Sequence, residues 1–401
     1  MSMKIKNNRL RILIAIALMI FIIICAIVIP NALRPIPGSG LELGVVPSVP
    51  IAVGGNASYA ITADGILWRW GFESWLGGNA FIFQEEPQKA MENITAVITR
   101  GSTTMMICSN GTLWTQGRAI QGMRHWIIRY TWMLTPLQPP HYAEPTVIMH
   151  NVTSVSMSPG EWAHVMAITS DGGLWGWGYN DFDQLGTWTN EGSRRRPVRI
   201  MDDVVLVSAG SNRTFVITSD GRLLGWGDNR FGRLGTGTSN DFYRRSATIM
   251  KNVIYVISNG SRTFAITADG ILWGWGSDWR RHDDPNRENF LIPSKMMDDV
   301  IAVSAGSNHV MAITSDGVLW AWGINEFGQL GDGTIENRYS PVKIMDNVAA
   351  VSAGMNHTLA VTADGGLWAW GDNQFGQLGD GTTENRHSPV RIMDGILLPS
   401  K

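Results

Sequence analysis

The chain has 401 residues, 44% of them hydrophobic, and carries 32 Lys+Arg against 34 Asp+Glu for a formal charge of −2. That content fills a core and excludes wholesale disorder, and near-neutrality removes the electrostatic reason to expect a nucleic-acid partner. Only Cys25 and Cys108 are present, which excludes a disulfide framework and a zinc site of Cys/His spacing.

Residues 1–11, MSMKIKNNRLR, hold Lys4, Lys6, Arg9 and Arg11 and no acid. Ile12 to Ile29 then run without a polar side chain other than Cys25. As a helix this run is about 27 Å long, close to the ~30 Å hydrocarbon core of a bilayer. We expect a transmembrane signal-anchor helix over residues 12–30. The basic tail 1–11 then stays cytoplasmic and the rest of the chain is extracytoplasmic. The alternative is a secreted protein released by signal-peptide cleavage. Such peptides have apolar regions of about 7–15 residues and a small-x-small site, and the exit IPNALRP offers no clean one. Residues 31–49, rich in Pro and Gly, read as a linker.

From residue 50 the sequence repeats. The phrase [ST][AS]DGxLWxWG and its variants return at Asp64, Asn110, Asp171, Asp220, Asp269, Asp316 and Asp364, at spacings of 46, 61, 49, 49, 47 and 48 residues. Periods of this length mark a solenoid, a propeller or an array. Copy six shows the unit. A small-residue strand IAVSAG (Ile301 to Gly306) is followed by the apolar HVMAIT (His309 to Thr314), an Asp-Gly turn, VLWAWG and, after a longer loop, SPVKIM. Four strands without a helical period predict an all-β, seven-bladed β-propeller over residues 50–401 with four-stranded blades. The small first strand suits the crowded axis. In LWAWG, period two puts Trp320 and Trp322 on one face and Leu319 and Ala321 on the other.

The stretch HVMAITSDGVLWAWGINEFGQLGDGT, with the following SPVKI, resembles the repeat of the regulator of chromosome condensation family over about residues 50 to 396. The resemblance implies seven blades around a narrow channel, with the ring closed by segments from both chain ends. PIAVGG (Pro50 to Gly55) and GILLPS (Gly395 to Ser400) are the candidates.

The loop WGDNQFGQLGDGT (Trp370 to Thr382), repeated at Trp322 to Thr334 and in weaker form at Trp226 and Trp177, is dense in glycine. A phosphate cradle needs a helix N-terminus and a Gly-Lys-Ser/Thr behind it, and neither follows. Asp372, Asp380 and Glu384 lack the spacing of an EF-hand, so local capping within a turn explains them. Phe375 and Leu378 are expected to tuck against the blade.

Seven residues before the Asp-Gly turn, one slot holds His164, Arg213, Arg262, His309 and His357, with Thr103 and Ala57 in copies two and one. Propeller symmetry places the slot as a ring on one face near the channel mouth. Two readings stay open. The ring has the chemistry to bind an anion, a metal or an acidic partner, or each residue caps a strand start and bonds a neighbouring loop.

Copies one, two and five abandon the regular loop. Copy two has GRAIQGMRHWIIRYTWMLTPLQPPHYAEP (Gly117 to Pro145), with Arg124, Trp126, Arg129, Tyr130 and Trp132; copy five has SDWRRHDDPNRENF (Ser277 to Phe290), with Trp279 and Arg280; copy one has FESWLGGNAFIF. Aromatic and arginine side chains on loops of a rigid scaffold have the composition of protein-binding hot spots. Their rival is free drift of loops. No Ser/His/Asp set, nucleophile elbow or HExxH occurs, so no enzyme, cofactor or metal is expected.

The family resemblance implies a further alternative, guanine-nucleotide exchange on the small GTPase Ran. The anchor and the near-neutral net charge oppose it. A plant ultraviolet-B photoreceptor shares this propeller, but most tryptophans here sit in the LWxWG strands, so light sensing is not expected. The favoured expectation is a monomeric, membrane-tethered, extracytoplasmic propeller that binds a protein or cell-envelope ligand as a scaffold or inhibitor. A secreted bacterial inhibitor of beta-lactamase of the same propeller class is its precedent.

Overall fold

Each repeat alternates short β-branched or aromatic runs with Gly-containing turns, and in the structure, a computed structural model, every such run pairs antiparallel with the next. Residues 50–74, 81–101, 103–117, 145–159, 163–188, 192–239, 242–277 and 289–398 are described. The expected anchor 12–30 and linker 31–49 lie outside them. Among the described residues no helix is long and apolar enough to cross a membrane.

Those residues contain 28 strands in seven four-stranded sheets, each with its strands in sequence order. The blades are residues 51–91, 94–149, 152–201, 204–250, 253–297, 300–345 and 348–393. The fold is therefore an all-β, seven-bladed propeller. The first strands, rich in Ala, Ser and Val, line the axial channel.

Inside a blade, the turn between the second and third strands is held by its own side chains. Thr169, Thr218 and Thr314 donate to Asp171, Asp220 and Asp316 at 2.5, 2.5 and 2.6 Å. The first tryptophan of LWxWG caps the same threonine, as Trp320 Nε1 does to Thr314 Oγ1 at 3.2 Å. A charge-assisted bond from a neighbouring hydroxyl holds each turn carboxylate below its ordinary pKa, and Asp171 falls to about 2.

The core lies between blades. Met311, Ile313, Leu319 and Ala321 of blade six meet Val348, Val351, Ala353 and Trp370 of blade seven. Trp322, on the other face, packs with Phe264 and Ile266 of blade five. Each sheet thus buries both faces against its neighbours, and the same hydrophobic joint repeats around the ring.

Closure uses both candidate segments in one strand. Ile51–Val53 pairs with Ala57–Ile61 as the inner strand of blade one. Ile396 bridges Thr62 just beyond it, and its N–H reaches Gly365 O at 3.0 Å. Val253 makes the same pair of contacts at the start of its blade, with Thr267 and with Gly221 O. Residues 396–397 are therefore the first part of an inner strand whose second part is 51–53.

Candidate functional site

Regularity and its loss define the candidate site, so the regular joint comes first. The loop between the third and fourth strands folds on itself. In blade seven Asn373 Oδ1 accepts the Leu378 N–H at 2.9 Å, and Gln377 Oε1 accepts the Phe375 N–H at 2.8 Å. Asp380 accepts from Thr382 Oγ1 and Arg386 Nε, both at 2.7 Å, and from Asn373 Nδ2 at 3.0 Å. Its lone pairs are committed to its own loop, as expected for a cap. Leu378 is fully buried, whereas Phe375 is half-buried and stacks 5.3 Å from Phe72 of blade one.

The loop then clamps the next blade. Gln377 O accepts from the Trp70 indole at 2.9 Å and from Ser58 Oγ at 2.7 Å, both in blade one. Gln329 O does the same for Trp370 and Thr358, and Gln184 O for Trp226 and Thr214. The second tryptophan of LWxWG is thus a joint residue. The glycine after Leu378 explains itself here. Gly379 has φ +79, and a Cβ would stand 2.7 Å from Trp70 Nε1, so only glycine lets the indole lie flat on the loop.

The slot residues complete this clamp. His357 Nε2 lies 2.9 Å from Ser58 Oγ, His309 Nε2 lies 3.0 Å from Thr358 Oγ1, and His164 Nε2 lies 2.9 Å from Thr214 Oγ1. Each hydroxyl already donates to a loop carbonyl, so it accepts from the ring, which is neutral with its proton on Nε2. The three Nδ1 atoms are buried without a partner. Burial lowers the three pKa values to about 3, with Arg213 adding to the shift of His164, Arg262 to that of His309 and His309 to that of His357. Arg213 is fully buried and reaches across the next joint to Gly260 O and Arg262 O, each at 2.9 Å. Burial lowers its pKa to about 9, which leaves it charged at neutral pH. Arg262, partly exposed, donates to Ser307 O at 2.6 Å. In blade one, where Ala57 fills the slot, Tyr59 two residues on takes the role and accepts from Thr104 at 2.9 Å.

The binding expectation for His164, Arg213, His309 and His357 is thereby corrected. These side chains are 0% exposed inside interblade joints, so a ligand docking on the intact propeller does not touch them. The capping reading describes them. Among the described residues no group of three His, Cys, Asp or Glu is placed to hold a metal.

In sequence, the irregular loops fall between the third and fourth strands of their blades. Arg124, Trp126, Arg129, Tyr130 and Trp132 fall in 118–144, and Trp279 and Arg280 in 278–288, outside the described residues. Their anchor points are described. Where the loop is regular, one of its glycines donates to the fourth strand of the next blade: Gly237 to Leu291 O, Gly333 to His387 O and Gly381 to Glu85 O, at 2.8–3.0 Å. In blade three that position is Arg195. It lies beside a groove of about 750 Å³ between blades two and three, lined by Val147, Met149, Trp175, Trp177, Arg195 and Arg196.

Arg195 and Arg196 are exposed. Arg199 is committed to Asp171 and Asp202 at 3.1 and 2.6 Å over the Trp175 ring, an arrangement repeated by Arg391 in blade seven. At the positions of Arg195 and Arg196 blade four also has arginines, Arg244 and Arg245, whereas blade seven has His387 and Ser388 and blade six Tyr339 and Ser340. The sequence signal for them is RRR at 194–196, the one arginine triplet in the chain.

With this geometry established, known proteins give the relationship. Models of the regulator of chromosome condensation (RCC1) repeat match residues 171–217, 316–361 and 364–396, and a second form of that repeat matches 152–184, 204–233, 300–329 and 348–377. Ultraviolet-B receptor UVR8 of Arabidopsis thaliana is 33% identical over 172 residues, which span 41% of this chain and 37% of that protein. Human WBSCR16 superposes with a TM-score of 0.63 at 18% identity, over 80% of this chain and 89% of that one. Yeast RCC1 (Prp20), solved bound to Kap60, superposes at 0.65 and 18% identity, over 83% of this chain and 85% of its own. At such identities the superpositions speak for the fold alone.

Proposed function

We propose that this RCC1-like propeller is a non-catalytic protein-binding module, tethered through residues 12–30 with the propeller on the extracytoplasmic side. The observation that carries the binding part is the joint between blades two and three. In sequence, the regular clamp is replaced there by segment 117–145, rich in Trp, Tyr and Arg, and the described residues of the joint form a groove rimmed by exposed Arg195 and Arg196. Tryptophan, tyrosine and arginine are the residues that dominate interface energetics when a rigid scaffold presents them. Two exposed guanidiniums beside Trp175 and Trp177 fit an acidic partner surface. The tether rests on the apolar run 12–29 and the basic flank before it. A precedent for protein binding exists at the level of fold: a structure of Prp20p from Saccharomyces cerevisiae was solved with a study of its binding to Gsp1p and histones.

The test is capture of envelope proteins by the chain and by two variants. Trp126, Arg129 and Trp132 all changed to Ala, or Arg195→Glu with Arg196→Glu, should lose the partner while the thermal transition stays within a few degrees of wild type. Capture unaltered by both sets refutes the site. Recovery of a soluble mature chain beginning after Pro30 refutes the tether.

A further inference from the structure

One position in the propeller departs from the repeat in a way that neither the joints nor the irregular loops use. The residue opposite the slot, at or just past the end of the inner strand, is Gly54, Gly210, Gly306 and Gly354 in four blades and Ser158 in blade three. These glycines are packed tightly. A Cβ on Gly210 would come within 2.2 Å of Ser258 Oγ, and one on Gly354 within 2.3 Å of Val53 Cγ1. Blade five has Asn259 there, and its Nδ2 bonds Ala305 O of the next blade at 2.9 Å. Blade two has Arg100, opposite Thr103.

Arg100 lines the axial cavity, about 200 Å³ in volume. No carboxylate lines that cavity among the described residues. Among the described residues Arg100 makes no ion pair, and its Nε is buried without a hydrogen-bond partner. Tyr255, from blade five on the opposite side of a seven-membered ring, lines the same space. Burial disfavours the charge on Arg100 and raises the Tyr255 phenol above its usual range, and the guanidinium across the channel pulls the phenol back. An uncompensated charge in a confined, low-dielectric lumen is costly, and it draws a counter-ion.

The remaining polar lining includes Thr99 and Thr153, whose hydroxyls donate to Thr103 O and Ile168 O, and a set of serines. Ser156, Ser208 and Ser304, at equivalent positions of their inner strands, accept backbone N–H groups from Ala209, Ser258 and Ala353 of the next blade, each at 2.9 Å. Each oxygen thus accepts one backbone N–H, and among the described residues its own O–H meets no acceptor, which leaves a hydrogen to offer. A cavity with a guanidinium, a phenol and several free hydroxyl hydrogens, and no carboxylate, is complementary to an acceptor-rich anion. The planar fork of arginine favours one with two adjacent oxygens.

We propose that the axial channel binds a small oxyanion of the phosphate or sulfate class, with Arg100 as the primary ligand and Tyr255 and the inner-strand serines as further donors. The probe is inorganic phosphate, and separately sulfate, titrated into the full chain calorimetrically at pH 7.5 with ionic strength held by sodium chloride. Wild type should show saturable binding of both oxyanions. Arg100→Met should abolish it, Arg100→Lys should weaken it roughly tenfold through loss of the bidentate fork, and Ser304→Ala should weaken it several-fold. Ser304→Ala leaves the charge in place and stands as the independent variant should Arg100→Met fail to fold. Absence of saturable binding by wild type, or equal binding by Arg100→Met, overturns the proposal. Chloride competing as strongly as phosphate overturns the oxyanion class.

Discussion

Acid should loosen this propeller through three residues. His164, His309 and His357 are neutral in the folded joints, with pKa values near 3 against an ordinary 6.5. The unfolded chain therefore takes up protons below pH 6.5 that the native joints refuse, so stability is complete above that pH and falls as pH drops toward 3. At pH 5 the gap is about 1.5 pH units for each ring, or about 2 kcal/mol each and about 6 kcal/mol for three. That is comparable with the whole stability of many domains, ~5–15 kcal/mol. The structural cause is specific: each Nδ1 is buried without an acceptor, so a second proton has nowhere to bond. Urea unfolding of the propeller at pH 7, 6 and 5 should show the midpoint falling steadily. The His164→Gln, His309→Gln, His357→Gln triple variant keeps an N–H donor in each joint and should flatten that profile. The turn carboxylates Asp171, Asp220, Asp316 and Asp364 do not compete in this window, because their pKa values lie below the ordinary 3.8. A midpoint constant between pH 7 and 5, or an unchanged profile in the triple variant, refutes the reasoning.

Two further outcomes follow from the joints. Gly379→Ala places a methyl 2.7 Å from the Trp70 indole nitrogen at φ +79, and should cost about 2–4 kcal/mol, read as a lower urea midpoint. Ending the chain after Asp394 removes the buried Ile396 and the bonds Ile396 N to Gly365 O and Leu397 N to Ile61 O. It should cost about 3–5 kcal/mol and broaden the unfolding transition, and an unchanged, sharp transition would count against the split inner strand.

The blade was legible because its signals are local. Alternation, the Asp-Gly turn and the small first strand each act over a few residues, and all point to one unit. The interblade clamp was half legible. Each slot histidine faces Ser or Thr in the next blade, at Ser58, Thr214 and Thr358, whereas the blades after Thr103 and Arg262 offer Val165 and Val310. That pairing is written in the chain, but at a separation of about one repeat, and it becomes visible only when neighbouring copies are compared one residue out of step. Reading the slot in isolation suggests a polar ring open to ligands. Burial, which depends on the adjacent blade, decides otherwise. Arg100 was missed for the opposite reason: its chemistry lies in what its counterparts in other copies, Gly210 and Asn259 among them, are not. The split inner strand could be named from its two pieces, but their order along it depends on which carbonyls they meet.

That split strand also sets a condition on how the molecule is made. Blade one is the first to emerge from the ribosome, yet its inner strand lacks its opening residues until those near 396 have been synthesised. Until then the second strand of that blade carries a half-covered edge, a ready template for pairing with another chain. Products that stop early keep that edge open. Completion of the seventh blade and its return to the first is thereby converted into a structural property that proteases and chaperones can sense.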